Sequence, residues 1–372
     1  MHLNKLHLIN FKNIESAQLV LSEGINCFVG NNGAGKTNLL DAVYYMSFCK
    51  SFFNPIDSQS IKHDNDFFVI QGGYELDGQE EQIYCGLKKG QKKQFKRNKK
   101  EYEKLSNHIG LLPLVMISPQ DESLIVEGSE LRRKYIDSVI SQYDKSYLEY
   151  LISYNKVLAQ RNAYLKGINA LNAEVNNMLD IWDMQIISLG SKIARARQVF
   201  LSELKEVFHE VYNYISGSNE EVAFEYKSHL LKEDFENVLR EARQKDVILG
   251  YSTKGIHRDD VEFKINGYPI KKIGSQGQKK TFLIALKLGQ FKFLVQHKNT
   301  TPILMLDDIF DKLDSERGDR LIELVGGDAF NQIFITDTQL NRILPILKRI
   351  EKDSVVYAVN NGEFTLYNEG EA

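Results

Sequence analysis

The chain has 372 residues, 42% of them hydrophobic and 26% charged, with a formal net charge of −3. That length supports one large domain or two modest ones with a sizeable core, and that composition excludes a disordered or fibrous chain. No apolar run reaches the roughly 18–20 residues that a membrane-spanning helix needs, and the N-terminus lacks a signal peptide's continuous apolar stretch, so a cytosolic location is the expectation. The slightly negative balance also excludes a uniformly basic nucleic-acid binder, so any contact with phosphate backbone must come from a local patch.

In chain order, residues 3–21 alternate apolar and polar side chains in a strand-like way, with a turn near Lys12-Asn13. Ile25-Asn26-Cys27-Phe28-Val29 reads as a buried strand with Cys27 as filler. The three cysteines, Cys27, Cys49 and Cys85, have neither disulfide-framework nor metal-ligand spacing. After a glycine-rich turn, Leu39, Leu40, Ala42, Val43 and Met46 recur at helical spacing. Residues 67–100 read as strands and hairpins, with Gly72-Gly73, Asp77-Gly78 and Lys89-Gly90 as turns. Residues 114–117 form another short buried strand. From Ser129 the apolar period becomes three or four and continues through Leu158, and a further helix runs from Asn177 to about Tyr214 with Trp182, Ile186, Leu189, Ile193 and Phe200 on one face. From Asp246 the mixed pattern returns, with a hairpin at Asn266-Gly267, a helix over residues 278–296, and apolar strands at 303–306 and 333–335. The pattern predicts an α/β fold made of residues 1–122 and 246–372, interrupted by a compact α-helical arm at 123–245.

Gly30-Asn31-Asn32-Gly33-Ala34-Gly35-Lys36-Thr37 fits the phosphate-binding pattern G-x-x-x-x-G-K-[ST]. Its glycines let backbone N–H groups turn inward on a phosphate, Lys36 reaches the β- and γ-phosphates, and the Thr37 hydroxyl ligates Mg²⁺. The following helix aims its N-terminal dipole at the anion. A chance match in a glycine-rich turn is the plainer reading, but the strand before and the helix after argue against it. Ile303-Leu304-Met305-Leu306-Asp307-Asp308 is an apolar strand ending in two carboxylates, the form of a Walker B motif. Asp307 is the expected Mg²⁺ carboxylate, and Asp308 is placed to orient or deprotonate the attacking water. These assignments imply ATP and Mg²⁺ as the cofactors and Lys36, Asp307 and Asp308 as the catalytic set.

Ser275-Gln276-Gly277-Gln278 precedes an apolar helix and resembles the signature motif of ABC ATPases, which in that family faces the γ-phosphate held by the partner subunit. A plain helix cap is the alternative. Lys312-Leu313-Asp314 stands at the position of the family's D-loop, with Asp314 near the dimer interface. Gln120 is the candidate Q-loop residue, although its neighbour Asp121 leaves the register open. No histidine follows the strand at 333–335, where the chain reads Thr336-Asp337-Thr338, so the histidine switch role is unassigned.

Phe11-Lys12-Asn13-Ile14, the phosphate loop, the late Ser-Gln-Gly-Gln and the Asp-Asp pair together resemble the SMC, RecN and RecF branch of ABC ATPases. Ser118-Pro119-Gln120-Asp121, Gly128-Ser129 with Arg132-Arg133-Lys134, Leu158-Ala159-Gln160-Arg161-Asn162, Trp182-Asp183 and Gly255-Ile256-His257-Arg258-Asp259-Asp260 narrow the resemblance to the bacterial RecF family. The resemblance covers nearly the whole chain. It implies an ABC-type P-loop ATPase head with a mixed sheet, an ATP-dependent homodimer and slow hydrolysis. It also implies DNA binding at gaps or single-strand/double-strand junctions in recombinational repair, with a RecR-like mediator as partner and RecA loading as the outcome.

Residues 88–100 carry many cations and no acid, and of these Lys92, Lys93, Lys96, Arg97, Lys99 and Lys100 are the candidate DNA contacts. A solvated edge hairpin is the alternative. Arg132, Arg133 and Lys134 form a second basic group for which a charged helix face serves equally well. Three other functions share parts of this pattern. The long interval from Lys36 to Ser275 argues against the nucleotide-binding subunit of an ABC transporter. A non-hydrolysing, ATP-gated DNA clamp has the same motifs and differs only in turnover. A nuclease lacks a further acidic metal cluster.

Overall fold

A computed structural model describes residues 1–217, 220–231, 234–310, 314–350 and 352–367. The chain divides into two compact units. The first holds Met1–Asp121, Val211–Gly217 and the chain from Lys280 onward, and the second holds Glu122–Glu210 and a later stretch ending at Lys279. The division falls within the helices Ala173–Ser216 and Gln276–His297.

The first unit is built on two six-stranded sheets. One is antiparallel, in the order Ile14–Val20, His2–Phe11, Phe67–Leu76, Gln79–Lys88, Gln94–Arg97, Lys100–Glu101. Its strands alternate buried and exposed residues, as a sheet with one covered face does. The other runs in the order Glu363–Leu366, Ser354–Asn360, Ile25–Val29, Ile333–Asp337, Ile303–Asp307, Leu114–Ile117, parallel except at its first edge. Its three central strands are buried at every residue, the mark of a parallel sheet covered on both faces. The helix Lys36–Phe48 touches strands of both sheets, so it is buried nearly all round rather than along one stripe.

The expected strands at 25–29, 114–117, 303–306 and 333–335 are all present. Asp77-Gly78 and Asn266-Gly267 make two-residue hairpin turns with positive φ at both positions. Gly72-Gly73 is not a turn: it lies inside the strand Phe67–Leu76, where Gly72 faces the ring of Tyr74. The terminal hairpin Ser354–Asn360/Glu363–Leu366 and the helix Leu340–Arg349 add elements that the sequence reading did not include.

The second unit contains the helices Ser129–Tyr143, Lys145–Leu165, Phe235–Leu249 and most of Ala173–Ser216. The single long period read from Ser129 is two helices, because the Asp144 side chain accepts the Tyr147 N–H and caps a new start. The unit also holds a small antiparallel sheet. Val222–Lys227 pairs with Asp260–Ile265, which pairs in turn with Tyr268–Pro269. That pairing carries the unit past residue 245 to Lys279, beyond the expected end of the arm.

Candidate functional site

The strand Ile25–Val29 ends at Gly30, and the chain wraps through Asn31, Asn32, Gly33 and Ala34 before entering the helix at Lys36. Two glycines make this path possible. Gly35 has φ 118, a region L side chains rarely adopt. A Cβ on Gly30 would lie 2.1 Å from the Val359 carbonyl oxygen. The loop is braced from three sides. The Gly30 N–H donates to the Asp337 carbonyl at 3.2 Å, the Gly362 N–H donates to the Ala34 carbonyl at 2.7 Å, and the Asn13 amide reaches the Gly33 carbonyl at 3.4 Å. Asn38 in turn holds Asn13 at 2.8 Å. The Phe-Lys-Asn-Ile run therefore acts through Asn13 as a support of the loop. Its lysine, Lys12, pairs with the buried Asp41 at 2.7 Å.

Lys36 is buried, and its Nζ donates to the carbonyls of Gly30 at 2.7 Å and Asn31 at 3.1 Å. The strand Ile303–Asp307 delivers Asp307 to the same place. The Thr37 hydroxyl donates to Asp307 Oδ1 at 2.9 Å, and the Thr336 hydroxyl donates to the same oxygen at 2.8 Å. Burial pushes the Asp307 carboxyl up to about 6, against the pull of the two threonine hydroxyls, and the neighbouring Asp308 adds to the rise. Asp308 follows with φ 47, a left-handed conformation uncommon outside glycine, and its N–H donates to Thr336 Oγ1 at 3.0 Å. The structure thus brings together Lys36, Thr37, Asp307 and Asp308, as the sequence predicts, and adds Thr336, Asn13 and Gly362. Thr37 and Asp307 offer a hydroxyl and a carboxylate within hydrogen-bond reach of each other, a hard-oxygen donor set that suits Mg²⁺ with water and phosphate completing the shell.

Gln120 is exposed, with its N–H on Ser118 Oγ at 3.3 Å. Asp121 is buried, accepts the Ser118 N–H and pairs with Lys287 at 2.7 Å, so Asp121 is an anchor and Gln120 the side chain left outward. Asp314 is exposed and caps the helix Ser315–Gly326 through the Arg317 N–H. Lys312 and Leu313 of the expected D-loop lie outside the described residues. In the second unit, Ser275 and Gln278 cap one another. The Ser275 N–H donates to Gln278 Oε1 at 2.8 Å, and the Gln278 N–H donates to Ser275 Oγ at 3.2 Å. Ser275, Gln276 and Gly277 are exposed at this helix start. The helix-cap reading of these residues is thus realised, at an exposed helix start.

The basic run divides. Lys93 is tied to Asp57 at 2.7 Å, to the Tyr45 hydroxyl and to the Cys49 carbonyl, and Arg97 forks onto Glu81. Both are held in ion pairs with acids outside the run itself. Lys92, Lys99 and Lys100 are exposed, and Lys96 lies over the Tyr84 ring at 5.4 Å. Strand register extends this group in a direction the sequence does not show. Gln18, His7, Gln71, Tyr84 and Lys96 are successive cross-strand partners over five strands, and Lys5, Gly73 and Gln82 form the next row. These rows line an open groove of about 820 Å³ that Lys99 also borders, with no carboxylate in its lining among the described residues.

The second basic group is mostly internal. Arg132 pairs with Asp260 at 2.8 Å, and Arg133 donates to the Asp259 carbonyl. The runs that set the chain apart in sequence are scaffolding. Arg161 is fully buried against Asp183 at 2.8 Å and Asp246 at 2.7 Å, Asn162 accepts from Ser252, and Asp259 pairs with the buried Arg197. His257 contacts the Tyr154 hydroxyl, and burial holds its ring down at about 4. Among the described residues no cluster of three His, Cys, Asp or Glu side chains could hold a metal, and no helix is long and apolar enough to cross a membrane.

Known proteins match this chain over nearly its whole length. The family model for the RecF/RecN/SMC N terminal domain matches residues 2–362. The DNA replication and repair protein RecF of Phocaeicola vulgatus is 53% identical over 367 residues, 98% of each chain. That of Bacteroides fragilis is 50% identical over 372 residues, 100% of each chain. Among solved structures, "the recombination mediator protein RecF-ATP in RecFOR pathway" superposes with a TM-score of 0.89 at 30% identity, covering 99% of this chain and 98% of that one. The Smc head domain of Pyrococcus furiosus shares the fold, with a TM-score of 0.58 at 15% identity over 98% of this chain and 96% of that one.

Proposed function

This chain belongs to the RecF family of DNA replication and repair proteins, within the RecF/SMC class of ABC-type ATPases, and from that premise we propose that it is an ATP-gated DNA-binding protein of recombinational repair that hydrolyses ATP slowly in the cytoplasm. The observation that carries the reading is the convergence of Lys36, Thr37, Asp307 and Asp308 at the end of a braced phosphate loop. Residues 30–35 turn their backbone around the phosphates and Lys36 neutralises the β- and γ-oxygens. Thr37 and Asp307 would hold Mg²⁺, which would supply positive charge to the phosphates. Asp308 orients the attacking water and accepts its proton, and Gln120 contributes at the edge of the site.

One copy of the chain does not complete the site. Ser275, Gln276, Gly277 and Gln278 of a second copy close over the γ-phosphate, with Asp314 at the interface, so ATP drives homodimerisation. The exposed helix start at Ser275 supports this role, because a helix N-terminus and a serine hydroxyl both favour an anion. DNA, in the form of gaps or single-strand/double-strand junctions, is the partner of the closed dimer. A RecR-like mediator joins it, and RecA loading is the outcome. The acid-free groove carrying Lys5, His7, Tyr84, Lys96 and Lys99 supports the DNA contact, since cations and amides on a concave face fit a phosphodiester backbone. Lys92 and Lys100 are further exposed cations of the same run, Lys100 paired with Arg97 across the last hairpin, and Lys93 and Arg97 brace those hairpins through Asp57 and Glu81.

Light scattering with and without ATP tests the reading. The wild-type chain dimerises with ATP, Lys36→Ala does not, and Asp308→Asn dimerises but does not turn ATP over. Dimerisation of Lys36→Ala at wild-type ATP concentrations would sink the model. The non-hydrolysing clamp is distinguished by turnover alone: it predicts equal, negligible phosphate release from wild type and Asp308→Asn.

A further inference from the structure

We propose that Thr336 is a positioning residue for ATP hydrolysis, which fixes the water-activating Asp308 and the metal-side Asp307 through one hydroxyl. The inference rests on the hydrolysis reading above and deepens it. Thr336 is fully buried at the end of the strand Ile333–Asp337, and parallel register sets it beside Asp307. Its Oγ1 donates to Asp307 Oδ1 at 2.8 Å and accepts the Asp308 N–H at 3.0 Å. The hydroxyl's single proton is used on the carboxylate and its lone pair on the amide, so the two bonds are compatible.

Two features make this arrangement more than a satisfied core threonine. Asp308 sits at φ 47, a conformation that persists only where surrounding contacts hold it, and the Thr336 bond is made to the backbone N–H of that same residue. The neighbouring Asp337 is committed elsewhere. Its carboxylate accepts the Gln339 N–H and pairs with Arg342, and its carbonyl accepts the Gly30 N–H. The strand end therefore links the phosphate loop, through the Asp337 carbonyl, to the water-activating carboxylate, through Thr336. Thr336 and Asp337 stand where the sequence leaves the switch position without a histidine. In the reaction, the γ-phosphoryl group passes from the ADP oxygen to a water oxygen and the water's proton passes to Asp308. Misplacing Asp308 slows that step, while ATP is still held by the phosphate loop, Lys36, Thr37 and the Asp307 carboxylate, which keeps its bond to Thr37.

The test uses the full chain with Thr336→Val, which keeps the shape and removes the hydroxyl, and Thr336→Ser, which restores it. Turnover and ATP half-saturation are measured, together with hydrogen exchange of the peptide containing the Asp308 amide without nucleotide. The expected result for Thr336→Val is a roughly 10- to 100-fold fall in kcat. Half-saturation stays within about twofold, and Asp308 amide exchange rises by about tenfold. Thr336→Ser returns both turnover and exchange toward wild type. Wild-type turnover in Thr336→Val overturns the proposal. So does an equal loss of turnover and ATP affinity in both variants with a lowered Tm, which would make Thr336 a packing residue only. Absence of turnover in the wild-type chain would remove the hydrolysis reading and the positioning role with it, and the exchange measurement would still report whether the hydroxyl holds Asp308.

Discussion

Buried charge is held differently at the phosphate site of the first unit and in the core of the second. In the first, Lys36 rests on backbone carbonyls and Asp307 on threonine hydroxyls, so each charge is hydrogen-bonded by neutral partners. In the second, Arg161 faces Asp183 and Asp246, and Arg197 faces Asp137 and Asp259, so each cation is opposed by carboxylates within the fold. Neutral partners satisfy a buried ion's hydrogen bonds while leaving its net charge to act on a ligand. Opposite charges satisfy the ion and consume its field. The first arrangement suits a site and the second a scaffold, and mutations at the two places should therefore fail differently.

The largest effect is expected in the scaffold. Arg161→Met leaves Asp183 and Asp246 buried without their shared cation, and urea unfolding should show a loss of about 3–5 kcal/mol. ATP affinity of the fraction that remains folded stays near wild type. A fold as stable as wild type would mean that the network is internally redundant. In the site the balance reverses. Lys36→Ala should weaken ATP binding by about 100-fold or more, roughly 3 kcal/mol, with little change in Tm, because its lost bonds are to carbonyls at an open loop.

Asp307 sharpens the comparison through its sign. Burial raises its folded carboxyl to about 6, so between the ordinary carboxylate range and that value the folded chain binds the proton more tightly than the unfolded chain. The resulting stability is present at low pH and is lost as the pH rises through about 6. Asp307→Asn, which mimics the protonated form, should therefore be more stable than wild type by about 3 kcal/mol at about pH 7.5, and equal to it below about pH 4. The same change should abolish Mg²⁺-dependent ATP binding. A destabilised Asp307→Asn chain at neutral pH would contradict the assignment of this carboxylate as a strained functional group.

The smallest effects belong to the groove. Lys5→Ala and Lys96→Ala should each lower the salt dependence of DNA binding by about one phosphate equivalent, with a few-fold loss of affinity at fixed salt. Lys93→Ala should leave the salt dependence alone and lower Tm instead, since Lys93 is spent on Asp57 and Tyr45. If Lys93→Ala changes the salt slope as Lys96→Ala does, the division of the basic run is wrong.

What the sequence reveals depends on how far apart the cooperating residues lie. The phosphate loop and the Asp307-Asp308 strand end are contiguous, and both were legible with their flanking elements. Thr336 was not, because only the register Asp307↔Thr336 between two parallel strands makes it part of the site. The groove was half legible. The lysines at 96 and 99 are in the basic run, but Lys5 and His7 join them only through pairing across the strands at 67–76 and 79–88. The partners of Lys93 and Arg97 were hidden for the same reason, since Asp57 and Glu81 lie outside the run. The strand Val222–Lys227 was hidden because its partner stands more than thirty residues later, and nothing local marks that pairing.

The most direct test of the whole account is DNA binding at fixed salt to gapped, single-stranded and duplex oligonucleotides, with and without ATP. The account predicts that ATP strengthens binding, most of all to the gapped substrate, and that Lys36→Ala loses the ATP effect while keeping the weak nucleotide-free binding. Equal affinity with and without ATP would contradict the claim that nucleotide closure and DNA binding are coupled.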